Sequence, residues 1–599
     1  MKLTKLSLTN FRSFGETQSI DFAKVTLLFG PNSVGKSSVL MALFYLHQIL
    51  SKGQCDPLRI EALGDKYVGG FKNLVNGRDL NKSITIKVEY EKSDIDIGAT
   101  YAYLADLIEN QRGLELDSPT ADAKLVGIEL EISWSASAQT AYVSCYRLWL
   151  DGEEIAELTS DAGLKQPLVT GLNYLHPLLL SAEHDEWLID CVQDGEPIHH
   201  DLIDKAFAIK GIELPNHREI AAGADTIDDI NNAMDSPIYF TDECFVSEFH
   251  DILNSSRIPS TEYGNSLYMT VVGSYGSHYL HADLAFSGFS GALPLLGKAI
   301  NTSLNFDDEH TTAIVNEVLS DVLVAPLDNL LAILNDSLCI GPLRIIPDST
   351  YQVNPYPQAK DWHNGMAAWD ILDKADINLL RPVDSWISSS DKLDLGYGLV
   401  FKVEKSFSEI KSVKSYVSRT NAEKQLDALI ARSSPTNPSF LECDEKVTRH
   451  TYSIWDYSND IGVSPSDIGV GVSQLMPLVV AAFNSKKGIV AIEQPELHIH
   501  PKVQVSVGDL LTQVNTDINF LVETHSEHLI LRILKRIRQT ADNELPEGFT
   551  EVNPSDVSIV YLEASREGVK ACKMELDEDG EFIGRWPNGF FAERREELM

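Results

Sequence analysis

Gly30-Pro31-Asn32-Ser33-Val34-Gly35-Lys36-Ser37-Ser38 is the stretch that decides the fold. It fits G-x-x-x-x-G-K-[ST], the loop that cradles nucleotide phosphates. Before it, Lys24 to Phe29 (KVTLLF) is an apolar, β-rich run that predicts a buried strand. After it, Val39, Leu40, Leu43, Leu46, Ile49 and Leu50 repeat at helical spacing. A strand, a glycine-bounded loop and a helix in that order give the motif its structural context. Gly30 and Gly35 let the backbone wrap so that N–H groups face a phosphate, and the helix start adds a positive dipole end. Lys36 offers a point charge to the β- and γ-phosphates, and Ser37 a hydroxyl to Mg²⁺. Asn32, Ser33 and Ser38 complete the expected ATP-binding wall. ATP and Mg²⁺ are the cofactors this pattern implies.

The chain has 599 residues, too many for one core, and an ordinary apolar content of 43%. Its 88 acidic against 49 basic residues leave a net charge of −39. Binding to nucleic acid rests on Lys and Arg neutralising phosphates, so the charge argues against a surface broadly attractive to DNA without excluding a local basic groove. Seven scattered cysteines without a C-x-x-C suit a reducing compartment rather than a disulfide frame. The N-terminus lacks a signal peptide's apolar core, and no apolar run reaches membrane-spanning length, so a soluble, cytoplasmic protein with no membrane partner is expected.

Around the cradle, the pattern predicts an α/β protein. Leu3 to Thr9 and Ser19 to Phe22 read as strands. Ser83 to Tyr90, Val126 to Trp134 and a hairpin from Ala141 to Leu150 into Glu153 to Leu158, turning at Asp151-Gly152, read as an antiparallel β layer. From about 165 to 335 the sequence reads mostly helical, with Leu327 to Leu338 a clear helix, and it lacks the sustained heptads of a coiled-coil arm. Cys339 to Tyr351 and Gly396 to Val403 read as strands, and strand and turn signals continue to about 460. The expected division is residues 1–160 for the first half of the head with its β layer, 161–338 for a large helical lid, 339–545 for the second half of the head, and 546–599 for a strand–turn–helix extension.

The chemistry resumes near residue 466. Gly469-Val470-Gly471-Val472-Ser473-Gln474 is a turn opening a helix over Leu475 to Phe483, and Gly471, Ser473 and Gln474 are candidate nucleotide contacts. Ile489 to Ile492 is a buried strand ending in Glu493, the expected holder of the Mg²⁺ shell. Gln494 follows where a water-activating glutamate is expected. A carboxamide orients water but takes no proton, so hydrolysis should be slow; Glu496, two residues on, is an alternative base. Phe520 to Ser526 (FLVETHS) ends a further strand in His525, placed to sense a γ-phosphate or a water. His498 and His500 lack a third ligand at metal spacing and read as structural. Asp577 and Asp579 beside Gly580 read as a solvated turn.

The series NFRSF, GPNSVGKSS, GVGVSQ, IVAIEQPELHIHP and LVETHS resembles the ABC-type ATPases of the Rad50/SMC and OLD group, covering roughly the first 90 and last 150 residues. It is most similar to prokaryotic AAA-family members such as the ATPase subunits of Septu-like and retron-linked phage defence. The resemblance implies an ABC-type head that dimerises around ATP. In such a dimer the cradle of one subunit faces the Gly469 to Gln474 turn of the other, Asn10 and Arg12 lie near the nucleotide, and His525 acts as switch. It also implies a partner effector, nuclease or toxin, because the sequence shows no nuclease motif of its own. The alternatives are a DNA-repair ATPase that binds DNA ends and a scaffold that holds ATP without turning it over.

Overall fold

The computed structural model describes residues 1–93, 98–101, 120, 123–163, 166–172, 284–303, 309–348, 350–404, 449–514, 517–566 and 568–584. The chain divides into two compact units, Met1–Arg12 with Leu46–Pro57 and Gly70–Ala332, and Ser13–Tyr45 with Leu58–Gly69 and Ile333–Met599.

The first unit is built on an antiparallel sheet. Its strands run in the spatial order Leu284–Ala285, Leu168–Leu172, Glu153–Thr159, Thr140–Leu150, Leu125–Ser135, Ile84–Glu91 and Lys2–Thr9. Strict alternation makes Ile84, Ile86, Val88 and Tyr90 buried and the residues between them half-buried, as a sheet with one covered face requires. The hairpin turns at Asp151-Gly152, with φ of 51° and 91°, the left-handed pair that matches strand twist. The Asp151 carboxylate accepts from the N–H groups of Lys124 (2.9 Å) and Leu125 (2.7 Å), which fixes that end of the sheet. Two buried tyrosines satisfy their hydroxyls on helical carbonyls, Tyr90 on Pro326 O (3.0 Å) and Tyr146 on Leu323 O (3.2 Å). Those carbonyls belong to the helices Glu309–Leu323 and Ala325–Asn335. The expected helical lid therefore contains these helices, but Leu168–Leu172 and Leu284–Ala285 are sheet strands within it; 173–283 lies outside the described residues.

The second unit carries the cradle on a mostly parallel sheet. Its elements are β1 (Val25–Phe29), α1 (Lys36–Lys52, of which Lys36–Tyr45 belongs to this unit), β2 (Leu338–Ile340), α2 (Val470–Asn484), β3 (Lys487–Glu493), α3 (Pro501–Gln513), β4 (Asp517–Glu523), α4 (Glu527–Ala541), β5 (Val557–Ser565) and β6 (Gly568–Met574). The strand order is β2-β3-β4-β1-β5-β6, parallel except for the last pair. β1 is buried at every residue, the continuous apolar pattern of a strand covered on both faces.

Two expectations change here. Cys339 to Tyr351 is a strand only over Leu338–Ile340, because Pro342 and Pro347 cannot donate to a ladder and the N–H of Gly341 bonds His363 O at 2.9 Å instead. The strand expected from Gly396 to Val403 forms as Tyr397–Glu404, and the stretch before it, where the sequence set no expectation, holds the helices Ala359–His363, Met366–Lys374 and Ile377–Ser388. Their Trp369, Leu380 and Trp386 are buried in one core with Leu475 and Val479 of α2. The Asp376 carboxylate caps the third helix by accepting from Asn378 N (3.0 Å) and Leu379 N (3.2 Å). Finally, the segment expected as an extension supplies β5, which pairs with the cradle strand itself, Val557 beside Val25 through Tyr561 beside Phe29. The helix expected at the tail lies outside the described residues.

Candidate nucleotide-binding site

The cradle leaves β1 and enters α1, and its glycines are required by what lies behind them. A side chain at Gly30 (φ 140°) would meet Leu562 O at 2.4 Å, and one at Gly35 (φ 124°) would meet Ser13 Oγ at 2.3 Å. β5 and Ser13 thus press the loop from the back. Ser33 holds φ 63° on the exposed rim beside Pro31 and Asn32, while Ser38 is buried and its N–H bonds Gly35 O at 2.9 Å. The Lys36 ammonium donates to Gly30 O and Pro31 O, both at 2.9 Å, so it folds over the cradle's own carbonyls. Burial lowers its pKa, while Glu523 and Glu496 oppose the shift. A buried cation resting on backbone carbonyls, with glycine-only backbone around it, fits a triphosphate.

Ser37 Oγ donates to Glu523 Oε2 at 2.7 Å. Glu523 went unread in the sequence. It ends β4 as Glu493 ends β3, and the two residues are register partners in the parallel pair. Equivalent positions of neighbouring strands share a face, so two carboxylates stand side by side at the sheet's C-terminal edge, beside the cradle serine. Burial raises the Glu493 pKa; Lys66 and Arg344 work against that shift and Glu523 with it. A hydroxyl and two adjacent carboxylates form an oxygen donor set of the kind Mg²⁺ takes, so the group fits. The signal was available: IVAIE and NFLVE are both apolar runs ending in glutamate.

Gln494 has φ 47°, and its N–H bonds Glu523 O at 2.8 Å, extending the ladder by one bond. Glu496 is already committed. Its carboxylate accepts from Thr524 Oγ1 (Oε2, 2.7 Å) and from His525 N (Oε1, 2.7 Å). That makes it the anchor of the His525 loop rather than a free base. Gln504 adds a second tie, accepting from Ser526 Oγ at 2.8 Å, and Ser526 caps α4. His525 Nε2 is buried without a hydrogen-bond partner. Burial and Lys36 lower the imidazole's pKa, against Glu523, so the ring is held neutral. An orphaned ring nitrogen near Lys36 is the placement expected of a phosphate or water sensor.

The expected signature turn is helical from Val470, which puts Gly471, Ser473 and Gln474 inside α2. Gly471 packs on the backbone, where a Cβ would sit 2.8 Å from His498 O. Ser473 is buried with an unpartnered hydroxyl. The Gln474 amide is spent on Arg344, donating to Arg344 O (2.7 Å) and accepting from Arg344 N (3.3 Å). Arg344 in turn donates to Gln474 O (3.1 Å) and Glu493 O (2.9 Å), and burial brings its pKa down to about 10. Gln474 therefore braces the site from within its own chain; the exposed part of the motif is Gly469-Val470. His500 caps α3, its Nδ1 accepting from Lys502 N at 3.2 Å. Asn10 and Arg12 belong to the first unit, both at positive φ, with Asn76 bonded to the carbonyls of each.

A cradle whose strand is separated from the acid-tipped β3 by one intervening strand, with a serine backed by two carboxylates, defines a P-loop nucleoside-triphosphate-binding protein. The chain belongs to the AAA ATPase domain family, which matches it over residues 1–167 and 378–530, more than half its length. It is an ATP-binding P-loop ATPase of that family. A curated relative, the DNA replication and repair protein RecF of Desulforamulus reducens, is 42% identical over 45 residues, 8% of this chain and 12% of that protein. The match therefore spans about an eighth of the relative's length. Among solved structures, the SMC head domain from Thermotoga maritima is 9% identical, with 96% of this chain and 100% of that one covered and a TM-score of 0.32. The Smc head of Pyrococcus furiosus bound to the C-terminal domain of ScpA is 12% identical, with 100% and 98% covered and a TM-score of 0.32. The architecture rests on the strand order above. Among the described residues no helix is long and apolar enough to cross a membrane.

Proposed function

We propose that the chain is a slow ATP-driven switch serving DNA replication or repair. The observation that carries the ATP part is the 2.7 Å bond from Ser37 to Glu523, which joins the cradle to the acid pair on β3 and β4. Mg²⁺, held by Ser37, Glu493 and Glu523, would neutralise phosphate charge there. The residues do the rest. Lys36 exchanges the Gly30 and Pro31 carbonyls for phosphate oxygens. Gln494 orients water but accepts no proton, and loss of a general base costs about 10²–10⁴ in rate. Glu496 holds the Thr524-His525 turn, so that His525 Nε2 reports what occupies the cradle. The DNA part is supported by the RecF relative. The net charge of −39 demands a local basic groove if it holds.

A second reading draws on Gln494. A clamp that keeps ATP for long suits a dimer that gates an effector protein, a nuclease or toxin, in anti-phage defence. One set of measurements separates them. Purified protein incubated with Mg·ATP for hours is denatured and its nucleotide identified, beside Lys36→Ala. Retained ATP with slow conversion to ADP, absent in the variant, is expected. Turnover unaffected by Lys36→Ala overturns the ATPase site. Duplex-end binding that needs ATP and weakens with salt is expected for the repair reading; no binding even at low ionic strength removes it and leaves the effector reading.

A further inference from the structure

Behind the acid pair, three side chains from three different elements converge. Cys339 lies on β2, His363 ends the helix Ala359–His363, and Glu493 tips β3. Their ligating atoms, a sulfur, a ring nitrogen and a carboxylate oxygen, all lie within 4.8 Å of one another. We infer that Cys339, His363 and Glu493 form a site for a thiophilic divalent cation of the zinc class, distinct from the Mg²⁺ position beside Ser37.

Several features favour a ligand set over chance packing. Zinc bonds of about 2.0–2.3 Å place tetrahedral ligand atoms about 3.3–3.8 Å apart, so from separations of up to 4.8 Å the three need to draw in by about 1.5 Å at most. The imidazole sits in a slot that two glycines keep open. A Cβ at Gly64 would meet His363 Nδ1 at 2.7 Å, and one at Gly341 would meet Nε2 at 2.8 Å. Gly64 holds φ 69° as the cap of a short helical turn, so its place in the slot is fixed by backbone. Cys339 and Glu493 are buried and His363 half-buried, which shields the group from competing water. A mixed sulfur–nitrogen–oxygen set selects zinc over Mg²⁺, which prefers oxygen. Three protein ligands leave a fourth position open.

Binding balances simply. The thiol releases one proton to solvent, the neutral imidazole and the carboxylate give lone pairs, and a neutral complex with the divalent ion results. Glu493 then serves one ion or the other. Resting on the ATPase reading above, the consequence is that a zinc-class ion withdraws Glu493 from the Mg²⁺ shell and slows ATP turnover.

The test uses Co²⁺ as an optical probe on the full, chelator-treated and reduced chain. One Co²⁺ per chain with a thiolate-to-metal charge-transfer band, displaced by Zn²⁺, is expected. Cys339→Ser should abolish the band, while Cys572→Ser keeps it. His363→Ala should weaken binding by more than about tenfold, the lower range for losing even an outer-shell partner. Gly341→Ala should do the same by occupying the slot, and circular dichroism confirms that each variant folds. A band that survives Cys339→Ser, or no thiolate band at all, overturns the site. Lys36→Ala separates the two readings: it should lose ATP and keep the Co²⁺ band. If Zn²⁺ binds at this site yet leaves hydrolysis by the wild type unchanged, the shared use of Glu493 is refuted.

Discussion

Replacing Glu523 with glutamine isolates the residue that ties the cradle to the acid pair. The carboxamide keeps an oxygen that accepts from Ser37, so the shape survives and only charge is removed. A hydrogen bond to an ionised acceptor is roughly twice as strong as a neutral one, and the charged form contributes about 1.5–3 kcal/mol. Halving it removes about 1 kcal/mol, or roughly a fivefold loss in Mg·ATP affinity, before the ion's own loss of a charged neighbour is added. Nucleotide without Mg²⁺ should respond oppositely. One negative charge fewer faces the phosphates, so ATP in chelator binds no worse than to the wild type. In the resting fold the weaker bond is opposed by relief of the upward pressure that Glu523 puts on the buried Glu493 carboxyl. Calorimetric titration with and without Mg²⁺ reads both signs. Ser37→Ala combined with Glu523→Gln should be non-additive, as partners in one bond are. Equal losses with and without Mg²⁺, or full additivity, would refute the role drawn from the 2.7 Å bond.

Gln494→Glu should restore a proton acceptor and raise single-turnover hydrolysis by about a hundredfold or more, the low end of the roughly 10²–10⁴ range of general-base catalysis; phosphate release that stays at wild-type level would show that another group already takes the proton. Arg536 binds Asp509 through Nε (2.7 Å) and Nη2 (3.0 Å), both side chains nearly fully buried. Arg536→Ala should cost about 3–5 kcal/mol in urea unfolding, toward the lower end because Arg532 still faces Asp509 at 3.4 Å; a loss under 1 kcal/mol would contradict a buried pair. His525 and His363 both have lowered pKa values in the fold. The unfolded chain therefore binds more protons below its usual histidine value of about 6.5, so their contribution is intact above that pH and is lost as pH falls through it. Urea midpoints from pH 7.5 to 5.5 should decline, and His525→Gln should flatten part of the slope.

What the sequence made legible was chemistry written in consecutive residues. Gly30 to Ser38 must be contiguous to wrap a phosphate, and Glu493 and His525 each follow an apolar run that announces a buried strand. The parts that stayed hidden are set by register and by distance along the chain. Glu523 acquires its role only because β4 lies between β3 and β1 and pairs Glu493 with Glu523, a relation that neither run contains alone. β5 backs Gly30 from more than five hundred residues away, so its segment read as an appendage. The helices from Ala359 to Ser388 were masked by Pro382 and by the polar residues between them, although Asp376 was a readable cap. Gln474 shows the same limit in reverse. Its position after a glycine turn suggested an outward contact, but Arg344 claims its amide from within the chain. Arg344 sits in a stretch whose prolines end the strand early, and that irregular backbone is what lets one guanidinium reach both α2 and the carbonyl of Glu493. The helix that carries the signature and the strand that carries the acid are thus coupled through a single buried cation, so a shift at the exposed Gly469-Val470 end of α2 has a direct mechanical route to Glu493.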